Sequence, residues 1–185
     1  MKISEKTKCR ISGGKLIDIL NLGHLPLSSF PSKNDKRPTP LPLVVCLNPD
    51  SGLVQLRHTV DPDEMYSQYW YMSGVNESMK QALKSIVLKA LDRCKDTLGP
   101  KPIVLDIASN DGTLLSAYPK NFFRIGIDPA KNIKPQNCDL HINTYFSAEA
   151  YQKHLGESKA DIVTSISMFY DLENPIQFAR DVNKI

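Results

Sequence analysis

The residues whose types and spacing could do chemistry are concentrated in one short segment, residues 104–114. A buried-strand pattern, Val104-Leu105-Asp106-Ile107, leads into a turn of small and polar residues that ends at Gly112. In parallel α/β sheets, ligands bind beyond the carboxyl ends of the strands. A small-residue turn lets a ligand approach the backbone, and a helix beginning there offers unpaired N–H groups. The segment therefore predicts a ligand-binding loop.

An acidic residue about twenty positions later narrows the class of ligand. Asp128 follows a second strand pattern within Gly126-Ile127-Asp128-Pro129. A carboxylate at the end of that strand can accept hydrogen bonds from both hydroxyls of a ribose. The sequence lacks the glycine fingerprint of hydride-cofactor sites and the Gly-Lys-Ser/Thr of a phosphate-binding loop. The loop and Asp128 together predict an adenosine-containing ligand.

The elements that must position this loop alternate between strand and helix from Pro102 onward. Continuous apolar runs such as Ile103-Val104-Leu105 are typical of strands covered on both faces, which indicates a parallel sheet. The patterns predict strands over residues 103–108, 124–127, 140–145 and 161–168, and helices over 112–118, 148–155 and 175–184.

The first hundred residues have a different character. Proline-rich residues 1–60 predict short strands over 15–22, 41–46 and 52–56, with a hairpin tip at 48–52. Apolar residues at three- and four-residue spacing predict helix within 62–98, with Asn76 as its N-cap and Gly99-Pro100 as its stop. We therefore expect a β-rich module (1–60), a helical linker (61–99) and an α/β domain (100–185).

Composition limits the class of protein. With 41% hydrophobic and 23% charged residues, the 185-residue chain is expected to be globular. No apolar run approaches the ~20 residues of a membrane helix, and the polar N-terminus has no signal-peptide core. Four cysteines in such a chain favour a reducing, cytoplasmic setting. The net charge of +3 is scattered, so neither a nucleic acid nor a membrane is expected as a partner.

Five segments in order resemble the sugar C-methyltransferases that use S-adenosylmethionine (SAM) and act on nucleotide-linked deoxysugars. They are Cys9-Arg10 with Gly13, Leu22-Gly23-His24-Leu25-Pro26-Leu27-Ser28, Cys46 with Gly52-Leu53-Val54-Gln55-Leu56, Tyr69-Trp70-Tyr71-Met72-Ser73-Gly74, and Ser109-Asn110-Asp111-Gly112-Thr113-Leu114-Leu115 followed by Gly126-Ile127-Asp128-Pro129-Ala130. Members of this family carry an N-terminal zinc-binding module before a class I methyltransferase core. The resemblance implies an incomplete doubly wound, Rossmann-like sheet after a zinc-binding-like module.

The resemblance also implies roles for individual residues. The methionine half of SAM would be lined by Asp106, Ala108, Ser109, Asn110, Asp111 and Gly112. Asp128 would hold the ribose, Pro129 and Phe146 would border the adenine, and Tyr69 would reach the cofactor or the sugar. Tyr71 and Tyr170 are the catalytic candidates, although the tyrosines at 66, 69 and 71 are equally compatible with a packing role.

Three departures from the family pattern qualify these expectations. Cys9 and Cys46 are the remaining metal-ligand candidates, because Ser12 and Ser51 stand where their second ligands belong. Two thiols do not complete a four-ligand zinc site, so bound zinc is not expected. Ala108 replaces the first glycine of the loop and is strained there if that position has a positive φ angle. The chain also ends after the predicted fourth strand, before strands five to seven.

The early end leaves three functions open. The chain could be a methyltransferase that acts on a nucleotide-linked sugar, an inactive SAM-binding or interaction module, or a half-enzyme completed by a partner chain that supplies the remaining strands. The predicted fourth strand would then be an open sheet edge available for pairing.

Overall fold

A computed structural model describes residues 2–27, 33–34 and 39–185. Ser28, Pro31 and Pro38, which belong to the motif and the proline-rich stretch noted above, lie outside the described residues. The chain divides into two compact units, Met1–Met65 and Tyr66–Ile185. Within the described ranges, no helix is long and apolar enough to cross a bilayer.

The first unit is built from antiparallel strands, and the strands that the proline-rich sequence predicts are present, although β2 is longer than expected. A two-stranded pair joins β1 (Ile3–Glu5) to β5 (His58–Val60), and a three-stranded sheet has the order β2-β3-β4. Its strands are β2 (Ile17–Pro26), β3 (Pro40–Leu47) and β4 (Val54–Leu56). The predicted hairpin tip at 48–52 is confirmed, since it joins the antiparallel strands β3 and β4.

The core of the first unit is small. Its buried side chains are Cys9, Leu16, Val44 and Cys46, with Leu53 packed against them. All ten residues of the edge strand β2 are exposed.

The second unit contains a four-stranded, all-parallel sheet with the order β8-β7-β6-β9. Its strands are β6 (Ile103–Ile107), β7 (Phe123–Ile127), β8 (Leu140–Ile142) and β9 (Ile162–Ser165). The chain moves outward from β6 through β7 to β8, and then returns to place β9 on the opposite side of β6. The strand order therefore reverses beside β6. The parallel sheet predicted from the apolar runs is confirmed.

Helices and buried side chains cover both faces of this sheet. Along the chain, α2 (Glu77–Cys94) precedes β6, α3 (Ala148–Leu155) lies between β8 and β9, and α4 (Pro175–Val182) follows β9. The short helix α1 (Pro62–Tyr66), at the boundary between the two units in the sequence, has no buried residue. Leu83 and Val87 of α2 pack with Val104 on one face, whereas Leu105 packs with Tyr151 of α3 on the other. Helix α2, which the sequence assigns to a linker, thus contributes to the core of the second unit. Asn76 caps α2 as predicted, accepting hydrogen bonds from the N–H groups of the next turn.

Two predicted helices are shorter than the sequence indicates. The helix expected over 112–118 is a single 3₁₀ turn, Leu115–Ala117, because the chain reaches it from positive φ angles at Asn110 and Gly112 and meets Pro119 beyond it. The helix expected within 62–98 is interrupted over residues 67–76, where only a 3₁₀ turn, Ser73–Val75, forms. The backbone of that interruption bonds to side chains of the loop after β6, as described below.

Candidate functional site

The loop after β6, residues Ala108–Gly112, has an unusual backbone. Ala108, Asn110 and Gly112 have φ angles of +58°, +51° and +77°, all in the left-handed region. The alanine therefore occupies the conformation in which the sequence analysis expects strain, which costs about 1 kcal/mol for a residue with a Cβ atom. At Gly112 a Cβ atom would overlap the carbonyl oxygen of Gln136. Only glycine fits at this position.

Asp128 ties this loop to the end of β7. One carboxylate oxygen, Oδ2, accepts a hydrogen bond from the Asn110 backbone N–H at 2.8 Å, and Oδ1 accepts from the Ala130 N–H at 2.8 Å. The side chain of Asn143 donates to the Asp128 carbonyl oxygen at 2.8 Å. A carboxylate offers about four lone-pair positions, so two remain for a ligand. The carboxylate is thus held in place at the carboxyl edge of the sheet.

Asp106 is the second buried carboxyl group of the site. It lies on β6 with 4% of its surface exposed, and its Oδ1 accepts a hydrogen bond from Thr164 Oγ1 of β9 at 2.7 Å. Burial raises the pKa of Asp106 to about 7; the Thr164 hydroxyl opposes this rise and the charge of Asp128 adds to it. The carboxyl group therefore changes protonation state near neutral pH, between the two strands where the order reverses.

The segment 67–74 lies across the loop and is fastened to it by side-chain amides and a carboxylate. Asn110 Oδ1 accepts from the Ser73 N–H at 2.9 Å, and its Nδ2 donates to the Tyr71 carbonyl at 3.0 Å. Asp111 Oδ2 accepts from the Gly74 N–H at 2.7 Å. We call residues 67–74 the crossing segment. The side chains of Asn110 and Asp111, two predicted cofactor ligands, thus bond to the protein itself.

A second asparagine fastens the same segment. Asn132 Oδ1 accepts from the Tyr69 N–H at 2.8 Å, and Asn132 Nδ2 donates to the Tyr69 carbonyl at 2.8 Å. The N–H of Lys131 also donates to the Ser67 carbonyl at 2.9 Å. The crossing segment is therefore held at both ends by the chain that follows β6 and β7.

The predicted tyrosines come together around this segment. Burial raises the pKa of Tyr69, and so do the neighbouring Tyr170, Asp171, Tyr71 and Asp128, in that order. The structure thus places the catalytic candidates Tyr71 and Tyr170 near the predicted ligand residues Tyr69 and Asp128. Tyr170 is 72% exposed. A phenol with a raised pKa stays protonated at neutral pH, so the Tyr69 hydroxyl can donate a hydrogen bond.

The aromatic group includes a link to the chain after β9. Tyr66 bonds to the Asp171 side chain, and burial together with that carboxylate raises the Tyr66 pKa. Asp171 belongs to the 3₁₀ turn Phe169–Asp171 that follows β9. The carboxyl ends of β6, β7 and β9 are therefore surrounded by polar and aromatic side chains.

The remaining predicted ligand residues are placed as follows. Ser109 is buried, and its hydroxyl has no hydrogen-bond partner within the described chain. Pro129 is half-buried directly after Asp128. Phe146 packs against Phe178 of α4 with ring centres 5.3 Å apart. Phe146 is thus part of the apolar packing beneath α4 and is only partly available to a ligand.

A separate cavity of about 730 Å³ lies beside α2. Lys80, Lys84 and Lys134 line it together with Asp111 and Thr113, whereas Asp106 and Asp128 do not. The cavity therefore meets the loop at Asp111 and Thr113 and leaves out Asp106 and Asp128.

In the first unit, the two metal-ligand candidates have different surroundings. Cys9 Sγ contacts the Ser51 hydroxyl at 3.4 Å and accepts from the Ser12 N–H at 3.4 Å. Burial raises the pKa of the Cys9 thiol. The hydrogen bonds with Ser12 and Ser51 together lower this pKa by more, so the net value is about 7, below the ordinary 9.0. Cys46 instead donates to Asp18 Oδ1 at 3.1 Å, and burial with that hydrogen bond raises its pKa to about 11. Among the described residues, no group of three or more His, Cys, Asp or Glu side chains could hold a metal ion.

Comparison with known proteins accords with both units. Residues 9–66 match the family model named "Putative zinc binding domain". The chain is also 28% identical, over 152 residues, to the C-methyltransferase NovU of Streptomyces niveus. That alignment covers 77% of this chain and 35% of the relative, so the chain spans about a third of the relative's length. The resemblance to C-methyltransferases with an N-terminal zinc-binding module, predicted from the motifs, is confirmed.

Several residues of the site were not identified from the sequence. Asn132 and Asn143 hold the crossing segment and the Asp128 backbone, and Thr164 bonds to Asp106. The local signal is that each stands near a strand end, and nothing in the spacing shows which groups they would bond to.

Proposed function

We propose that the second unit binds SAM and serves a methyltransferase that acts on a carbon atom of a nucleotide-linked deoxysugar. The observation that carries the proposal is the fixed Asp128 carboxylate at the end of β7, hydrogen-bonded to the N–H of Asn110 in the loop after β6. Strand order reverses beside β6, and ligands of open α/β sheets bind at such reversals. The similarity to a C-methyltransferase supports the reaction class.

The residues present fit such a ligand. Asp128 keeps two lone-pair positions for the ribose hydroxyls, because each of its oxygens accepts one backbone N–H bond. Asp106 would lie beside the positively charged methionine half, as the resemblance implies, and a nearby positive charge would favour the ionised form of its carboxyl group. The loop from Ala108 to Gly112 would follow the same half, with Pro129 and the partly buried Phe146 at the adenine.

When bound, SAM supplies an electrophilic methyl group on a sulfonium ion. The contribution of this chain would be orientation and charge, which are the larger part of catalysis for a transfer between bound partners. Tyr69, Tyr71 and Tyr170 would stand on the acceptor side as hydrogen-bond donors. The activity of the whole protein rests on a relative almost three times as long as the aligned region, and turnover by this chain is part of the proposal.

The test is calorimetric titration of the folded chain with SAM and with S-adenosylhomocysteine. Asp128→Ala removes two charge-assisted hydrogen bonds to the ribose, each worth about 1.5 kcal/mol, so affinity should fall about 100-fold. Asp96→Ala, at an exposed aspartate after α2, is the matched control and should bind like the wild type.

The outcomes separate the open functions. Binding that Asp128→Ala weakens about 100-fold, with methyl transfer to a nucleotide-linked keto sugar, supports the enzyme. Binding without transfer supports the inactive module, and transfer that appears only on adding the remaining part of a C-methyltransferase supports a half-enzyme. A folded wild-type chain that binds neither ligand contradicts the proposal.

A further inference from the structure

The first unit contains two turns that are equivalent in their backbone, Cys9–Gly14 and Asn48–Leu53. In each, the first residue's N–H donates to the carbonyl of the sixth residue, at 2.9 Å in both turns. In each, the fifth residue is a glycine whose N–H donates back to the first carbonyl, again at 2.9 Å. The glycines, Gly13 and Gly52, have φ angles of +72° and +70°. The two turns are thus copies of one knuckle.

The side chains of the two turns also make matching hydrogen bonds. The N–H of the fourth residue donates to the first side chain: Ser12 to Cys9 Sγ at 3.4 Å, and Ser51 to Asn48 Oδ1 at 2.9 Å. The two serine hydroxyls each accept from the N–H two residues later, at 3.2 Å and 3.3 Å. The counterpart of Cys9 is therefore Asn48. The sequence analysis places Cys46 in that position, but the structure puts Cys46 two residues earlier on β3 with Asp18.

Asn48 joins the two knuckles through its carboxamide. Its Oδ1 accepts from the Ser12 hydroxyl at 3.0 Å and from the Ser51 hydroxyl at 2.6 Å, and its Nδ2 donates to the Lys15 carbonyl at 2.8 Å. The side chain is completely buried. Because Ser51 also contacts Cys9 Sγ, all four knuckle positions are connected by hydrogen bonds.

These four side chains do not suit zinc. Structural zinc is held by four thiolate or imidazole ligands in a tetrahedron, whereas the knuckles present one thiol, two hydroxyls and one neutral carboxamide. The Asn48 carboxamide oxygen already accepts two hydroxyl hydrogen bonds and the Ser51 N–H. We infer that Asn48 takes the structural place of the metal, so that the two knuckles are joined by hydrogen bonds and the first unit folds without zinc.

The first experiment uses the unaltered full chain. All seven tyrosines and the single tryptophan lie at or beyond Tyr66, so hydrogen exchange of peptides 9–14 and 48–53 is the suitable probe of the first unit. We expect no zinc by elemental analysis and unchanged exchange protection after treatment with a strong chelator. Asn48→Ala should raise exchange at both turns at least 10-fold, while Asn121→Ala, at an exposed asparagine in the second unit, should leave them unchanged. Stoichiometric zinc, with protection lost on chelation, would overturn the inference.

The second experiment restores a metal site and tests the assignment of Asn48. The variant Ser12→Cys/Asn48→Cys/Ser51→Cys carries thiols at all four knuckle positions and should bind one equivalent of Co²⁺ with the absorption of a tetrahedral thiolate complex. Adding Cys9→Ser should weaken binding by at least 10-fold, whereas adding Cys46→Ser should leave it unchanged.

The reverse pattern, in which Cys46→Ser abolishes Co²⁺ binding, would overturn the assignment, as would a folded triple variant that binds no metal. The double variant Ser12→Cys/Ser51→Cys provides a further control, because it would reach four thiolates only if Cys46 were a ligand. If the triple variant does not fold, the chelation experiment on the unaltered chain still decides the question of zinc.

Discussion

Replacing Asp106 by asparagine should remove the pH dependence that this buried carboxyl group imposes on stability. Its pKa in the folded chain is about 7, against an ordinary value of 3.8. Above pH 3.8 the unfolded chain loses the proton while the folded chain keeps it, so folding binds a proton and stability falls as pH rises. The gap of about three pH units is worth about 4 kcal/mol, all of it lost by the time the pH exceeds about 7.

Asparagine keeps the shape of the side chain and an oxygen that can accept from Thr164 Oγ1, but it does not titrate. The difference in unfolding free energy between Asp106→Asn and the wild type should therefore grow in favour of the variant by up to about 4 kcal/mol between about pH 4 and about pH 8. For a chain of this size, this corresponds to a shift of about 10 °C in the relative melting temperatures. Trp70, the single tryptophan, lies in the second unit and reports its unfolding by fluorescence.

Asp139→Asn is the matched comparison, because its two hydrogen bonds from the Arg124 guanidinium lower the Asp139 pKa. That variant should lose stability at neutral pH and approach the wild type in acid. A difference between Asp106→Asn and the wild type that stays constant with pH would refute the reasoning about Asp106.

Two further predictions concern the loop backbone and are measured by denaturant unfolding. Gly112→Ala should destabilise by about 3 kcal/mol or more, because its Cβ atom would meet the Gln136 carbonyl at a positive φ, whereas Gly99→Ala, with open space around it, should stay within about 1 kcal/mol of the wild type. Equal effects would contradict the steric argument. Ala108→Gly should be nearly neutral, since relief of about 1 kcal/mol of strain offsets glycine's added entropy, while Ala130→Gly should cost about 1–2 kcal/mol. The prediction fails if Ala108→Gly is the more damaging of the two.

The sequence predicts the sheet of the second unit well because apolar runs such as Ile103-Val104-Leu105 have few other stable placements. It predicts the end of the fourth strand poorly. That strand stops at Ser165 rather than near Met168, and Ser167 has a φ angle of +55°. Local patterns also do not predict that the crossing segment packs on the loop after β6. Its contacts with Asn110 and Asn132 join residues far apart in the chain.

The candidate site divides in the same way. The position of Asp128 follows from strand periodicity, and the prediction of an adenosine-containing ligand rests on its place at a strand end. The sequence could not show that the side chains of Asn110 and Asp111 are already hydrogen-bonded within the protein. Their partners are backbone N–H groups 37 residues away in the chain. In the first unit, five positions separate Cys46 from Ser51 whereas three separate Cys9 from Ser12, and that mismatch is the signal that Asn48 is the true counterpart.

Strand β2 carries a consequence for how this chain can change over evolutionary time. Both of its faces are exposed, with Ile17, Ile19, Leu20 and Leu22 each about half-exposed, and its pairing with β3 is shifted at two irregularities. Neither face of β2 is buried, so burial does not determine which residues lie on which face. A single-residue insertion or deletion would move side chains from one exposed face to the other, at little cost in burial. The same change in β6 would move Val104 and Leu105 to opposite cores. We therefore expect length variation among related chains to collect in β2 and to be absent from β6.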